Sequence, residues 1–141
     1  MKVFFDTNVY VSEALLGEHA IQAIRATVDA RWKIFTCSYQ LDELSRVMSQ
    51  KLGLSMRWVR AVRIRVLEHS VMVTPLPSRH AVARDPNDSP ILNPAIVAGV
   101  AFLVTIDRDL LTMDPYEGIR IISLWEYRRI LEDRGMLPSV Q

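Results

Sequence analysis

The chain has 141 residues, half of them hydrophobic and 23% charged, which is a globular composition and excludes a disordered polymer. Its formal net charge is +1, so no global field draws it to nucleic acid or to an acidic membrane, and any such binding must come from a local patch. The single cysteine, Cys37, excludes an intramolecular disulfide and suits a reducing compartment; it reads as a small buried hydrophobe. The N-terminus lacks the charged–apolar–small order of a signal peptide. The longest apolar run, from Ala95 to Val104, is too short to span a bilayer. The expectation is one soluble, cytoplasmic domain over residues 1–141 with loose final residues, and no membrane association.

The first strand, Val3-Phe4-Phe5, runs straight into Asp6-Thr7-Asn8. A continuous apolar run of this kind suits a strand buried on both faces. A helix from Val9 to Leu16 ends at Gly17, and a second from Glu18 to Ala30 places Ile21, Ile24 and Val28 on one face. Lys33–Cys37 is a second strand. Ser38 reads as the N-cap of a helix from Tyr39 to about Leu52, with Leu41, Leu44, Val47 and Met48 at helical spacing and Asp42 and Glu43 in its first turns. Acids there are favoured by the helix dipole alone, which accounts for Asp42 better than for Glu43 beside the apolar stripe. Ser55 caps a further helix, Met56 to about His69, carrying Arg57, Arg60 and Arg63 at steps of three, with Arg65 nearby. Such a stripe is either a solvated face or a phosphate-contacting one.

Val71–Thr74 is a third strand, ended by Pro75 and Pro77. Asp85-Pro86-Asn87-Asp88-Ser89-Pro90 is dense turn chemistry, and Asp88 or Ser89 caps the next helix, with a distorted first turn expected until Pro94. Ala101–Thr105 is a fourth strand, the second to run into an acid, Asp107, which starts a short helix. Arg120–Ile122 is a fifth strand at an edge, and Ser123 caps a last helix stopped by Gly135. The alternation predicts a three-layer α/β/α sandwich around a mainly parallel sheet of about five strands.

In such a sheet Asp6, Glu43, Asp88 and Asp107 all fall at the carboxyl edge, where ligands bind. Bare carboxylates cannot share a small pocket, since one like-charge pair at 4 Å costs about 4 kcal/mol at an effective dielectric of 20. Protons or a cation must be present, and oxygen-only donors select Mg²⁺ or Mn²⁺. His19, His69 and His80 have no ligand spacing that would favour zinc. No glycine-rich phosphate loop or Gly-x-Ser-x-Gly elbow is present, which argues against a nucleotide kinase or a serine hydrolase. The chemistry a carboxylate-held Mg²⁺ suits is phosphodiester hydrolysis, while N-capping is the simpler explanation of Asp88 or Asp42 taken singly.

The ordered set Asp6-Thr7-Asn8-Val9, Leu41-Asp42-Glu43-Leu44, Asp85-Pro86-Asn87-Asp88 with Ile91-Leu92, and Leu103-Val104-Thr105-Ile106-Asp107-Arg108-Asp109-Leu110-Leu111 resembles a PIN domain from Val3 to about Leu131. It is most similar to the VapC-like toxins of toxin–antitoxin systems. The resemblance implies a metal-dependent ribonuclease with catalytic and metal-holding Asp6, Glu43, Asp88 and Asp107, supporting Asn8 and Thr105, and an outer acid at Asp109. Asp85 or Ser89 is the alternative for the third acidic position. It further implies an RNA substrate, a small antitoxin partner and a homodimer, with Arg57, Arg60 and Arg63 as RNA or partner contacts. Ile106 and Asn93-Pro94 depart from the family pattern. The other readings are a catalytically weak PIN domain acting as a binding module and, less well fitted to so short a chain, a relative of flap-cutting DNA nucleases.

Overall fold

The computed structural model describes residues 1–75 and 89–138. Five parallel strands, β1 (Lys2–Phe5), β2 (Lys33–Thr36), β3 (Ser70–Met72), β4 (Phe102–Thr105) and β5 (Arg120–Ser123), lie in the order β3-β2-β1-β4-β5. The most apolar strands are therefore central. β1 pairs with β2 through Val3↔Ile34 and with β4 through Phe5↔Val104. Alternate side chains of each strand feed two separate cores. Val3, Phe5, Ile34, Phe102, Val104 and Ile122 pack under α1 (Thr7–Ala14), α2 (Glu18–Asp29), α3 (Ser38–Arg46), α4 (Met56–Glu68) and α7 (Leu124–Asp133). Phe4, Phe35, Leu103 and Ile121 pack under α5 (Ser89–Ala98) and α6 (Arg108–Leu111). The result is the expected α/β/α sandwich, with the winding reversing between β1 and β4. No helix among the described residues is long and apolar enough to cross a membrane.

Several local expectations are corrected. α1 begins at Thr7 rather than Val9, because the Asp6 carboxylate accepts from the Thr7 backbone N–H and caps it. In α2 the buried stripe is Ala20, Ala23, Ile24, Ala26 and Thr27, while Ile21 and Val28 are only half-buried. Small residues are selected there because α2 lies close against α7, where the hydroxyls of Thr27 and Tyr127 hydrogen-bond. α3 starts at Ser38 itself, with Cys37 at the N-cap position, and continues as a π-helical turn over Val47–Lys51. β3 ends at Met72, short of Thr74. α5 runs as continuous α-helix through Pro94 instead of starting distorted. Pro94 has no N–H for the Pro90 carbonyl, and the buried Cys37 thiol turns toward that oxygen, with Sγ at 3.9 Å. Ser55 and Ser123 cap α4 and α7 as read, each accepting from a backbone N–H three residues on. α7 ends at Asp133, and Gly135, just past its cap Arg134, has a φ of 73° that favours a residue without a Cβ.

Leu103 is fully buried at the middle of the second core. Leu103→Ala is expected to cost about 2–5 kcal/mol, read as a lower urea midpoint with an unchanged slope.

Candidate active site

Two strands that are neighbours in space end in acids. Phe5, paired with Val104, is followed by Asp6, and Thr105 is followed by Ile106 and Asp107. The Asp6 backbone N–H still donates to the Val104 carbonyl at 2.8 Å, so the first acid is fixed as the last rung of the β1/β4 ladder. The residue is 7% exposed. Oδ1 accepts from the Thr7 N–H at 2.8 Å, and Oδ2 accepts from the Thr105 hydroxyl at 2.7 Å. The same hydroxyl oxygen accepts from the Asp107 N–H at 3.0 Å. Thr105, fully buried, therefore joins the two acids: its hydroxyl bonds one carboxylate and the backbone of the other.

Asp107 is half-buried and caps α6, its Oδ1 accepting from the Asp109 N–H at 2.8 Å. Asp109 itself is exposed. Glu43 is half-buried on the second turn of α3, with the Tyr39 hydroxyl donating to Oε2 at 3.3 Å. Burial raises the Asp6 carboxyl from its ordinary value to about 6, with the negative charges of Glu43 and Asp107 adding to the rise and the bonds from Thr105 and Thr7 opposing it. Glu43 and Asp107 are thus near enough to Asp6 for their charge to act on it. Asn8 is exposed in the first turn of α1. Asp85 and Asp88 lie outside the described residues, as does the side chain of Ser89.

Among the described residues no three His, Cys, Asp or Glu side chains form a cage for a metal ion. Mg²⁺ does not require one: it keeps several waters and takes one or two carboxylates together with phosphate oxygens. The donor set here is hard oxygen, and its inner member is a buried acid facing two like charges. A divalent cation relieves both burdens, so the residues fit one.

The basic stripe of α4 divides. Arg57 and Arg60 are exposed. Arg63 is drawn inward, one guanidinium nitrogen donating to the Leu41 carbonyl at 2.9 Å and to the Ser45 hydroxyl at 2.8 Å, with Asp42 at 3.7 Å. Arg65 pairs at 2.9 Å with Glu13, a buried acid of α1.

Sequence reading missed Gln40. Its side chain is fully buried, Nε2 donating to the Phe5 carbonyl and Oε1 accepting from the Thr36 hydroxyl, both at 2.6 Å. The one available signal was that β2 and β4 both end in threonine at the rim that receives the acids.

A doubly wound parallel sheet with carboxylates gathered where its winding reverses defines a class of α/β proteins that work at the strand ends. Within that class, the PIN domain family model matches residues 2–109, and the chain belongs to that family. PIN domains are generally nucleases. A comparison with curated proteins gives no match.

Asp6 carries a pH signature. Its raised pKa favours folding while the carboxyl is protonated; that stability is fully present below pH 3.8 and is lost as pH rises through about 6. The difference is roughly 3 kcal/mol, since each pKa unit is worth about 1.4 kcal/mol. Asp6→Asn is therefore expected to raise the melting temperature of the metal-free protein by several degrees at pH 7.5, and to give little or no gain at pH 3.5. Calorimetry in EDTA at the two pH values checks this.

Proposed function

We propose that this chain is a Mg²⁺- or Mn²⁺-dependent endoribonuclease, and that it serves as the toxin of a toxin–antitoxin pair. The observation that carries the reading is the buried Asp6 carboxylate, bound to Thr105 and lying in the combined field of Glu43 and Asp107. Asp6 and Asp107 would hold the ion, and Glu43 and Asp88 would bind it or orient the attacking water. When bound, such an ion would neutralise charge at the scissile phosphate and lower the pKa of a water for attack. Thr105 keeps Asp6 in one rotamer by its hydroxyl bond and keeps Asp107 in register through the backbone. Asn8 and Asp109, two residues after Asp6 and Asp107 in the chain, would support the site as polar neighbours. Cleavage of the P–O3′ bond leaves a 5′-phosphate and a 3′-hydroxyl.

Arg57 and Arg60 are the phosphate or antitoxin contacts, while Arg63 is held by Leu41, Ser45 and Asp42. The protein acts as a cytoplasmic homodimer and is silenced by a small partner. The competing reading is a catalytically weak PIN domain acting as an RNA- or protein-binding module; the presence of all four acids in the sequence argues against it.

Asp6→Asn and Asp107→Asn are each expected to lower Mg²⁺-dependent cleavage of single-stranded RNA at least 100-fold with an unchanged circular dichroism spectrum. EDTA should abolish the wild-type activity. Full cleavage by both variants would remove the acids from the mechanism. Induction of the wild-type chain alone should arrest growth while Asp107→Asn does not; indifference to both would favour the module. Joint replacement of Arg57 and Arg60 by Ala is expected to weaken RNA binding and to reduce the slope of log K against log salt by about 1.4, the value for two lost single-strand phosphate contacts.

A further inference from the structure

Among the described residues the acids at the rim come from separate elements, and of these Glu43 is the one not anchored by its own strand end. α3 starts directly after β2, and the β1/β2 pairing stops at Phe4↔Phe35. The Phe5 carbonyl lies one residue beyond that last pair. Gln40 occupies this place. Its amide nitrogen donates to the Phe5 oxygen and its amide oxygen accepts from Thr36, so one side chain links the ends of two strands to the first turn of α3. The orientation of the amide follows from chemistry, because the Phe5 carbonyl can only accept. Phe5 immediately precedes Asp6, and Gln40 lies three residues before Glu43, about one helical turn away.

We propose that Gln40 is a positioning residue of the acidic site, fixing α3 against the end of β1 so that Glu43 is held in register with Asp6. This rests on the metal-dependent reading above. Both hydrogen bonds are fully buried and short, so they cannot be exchanged for water without moving the helix. Arg63 holds the same helix from its outer side at Leu41 and Ser45, which makes Gln40 the inner tether and the one that touches the Asp6 strand.

The test is a double-mutant cycle on Mn²⁺ affinity, by isothermal titration of the purified full chain. Gln40→Met is expected to weaken Mn²⁺ binding about tenfold, the effect usual for an outer partner of a metal site. In a Glu43→Gln background the same change should weaken it less than twofold, because the side chain that Gln40 positions has lost its charge. The melting temperature should fall by a similar amount in both backgrounds. Equal losses of affinity in the two backgrounds, or lowered stability with unchanged affinity, would overturn the proposal while leaving the metal site standing. Wild-type protein that takes up no Mn²⁺ would overturn the metal reading and this proposal together. Thr36→Val, which removes only the hydroxyl that orients the Gln40 amide, is the milder probe should Gln40→Met not fold, and the same cycle decides with it.

Discussion

The hydrogen bond from Thr105 to the buried Asp6 carboxylate is the constraint on which the rest of the structure turns. A carboxylate withdrawn from water is costly unless its oxygens are met by donors or a cation. Here two donors meet it, one from its own helix and one from the neighbouring strand. They hold the group without removing its charge problem, since the pKa still stands near 6. The fold thus keeps a buried acid at the end of β1 and spends stability to do so.

The sheet explains how this is maintained. Because β1 is flanked on both sides and buried above and below, its end cannot shift without disturbing two cores. β4 is locked beside it, so Asp107 inherits the same rigidity through Thr105. α3 is less constrained by the ladder and is tied instead by side chains, from Gln40 within and Arg63 without. One rim is therefore built by two means: backbone pairing for the aspartates and side-chain tethers for the helix bearing Glu43.

What could be read in advance follows the same division. Strands that are buried on both faces leave continuous apolar runs, so Val3–Phe5 and Phe102–Val104 were visible along with the acids that end them. Serine caps at Ser55 and Ser123 were visible because their partners lie three residues on. Ser38 misled because it looks like a cap, whereas Cys37 precedes the helix and leaves Ser38 inside it. Pro94 misled because its missing bond is compensated from another element, at Cys37. The alanine stripe of α2 was hidden because close helix contact selects small side chains rather than the most hydrophobic ones. Gln40 was hidden for a different reason: a glutamine in a helix reads as surface until the sheet order places the Phe5 carbonyl beside it.

The central claim is that Asp6 and Asp107 share one divalent ion. Anomalous diffraction from a crystal of the protein grown with Mn²⁺ tests it most directly. The account predicts a single strong peak coordinated by carboxylate oxygens of both residues, and its disappearance in Asp6→Asn. A peak elsewhere on the molecule, with the Asp6–Thr105 bond intact and the rim empty, would contradict it.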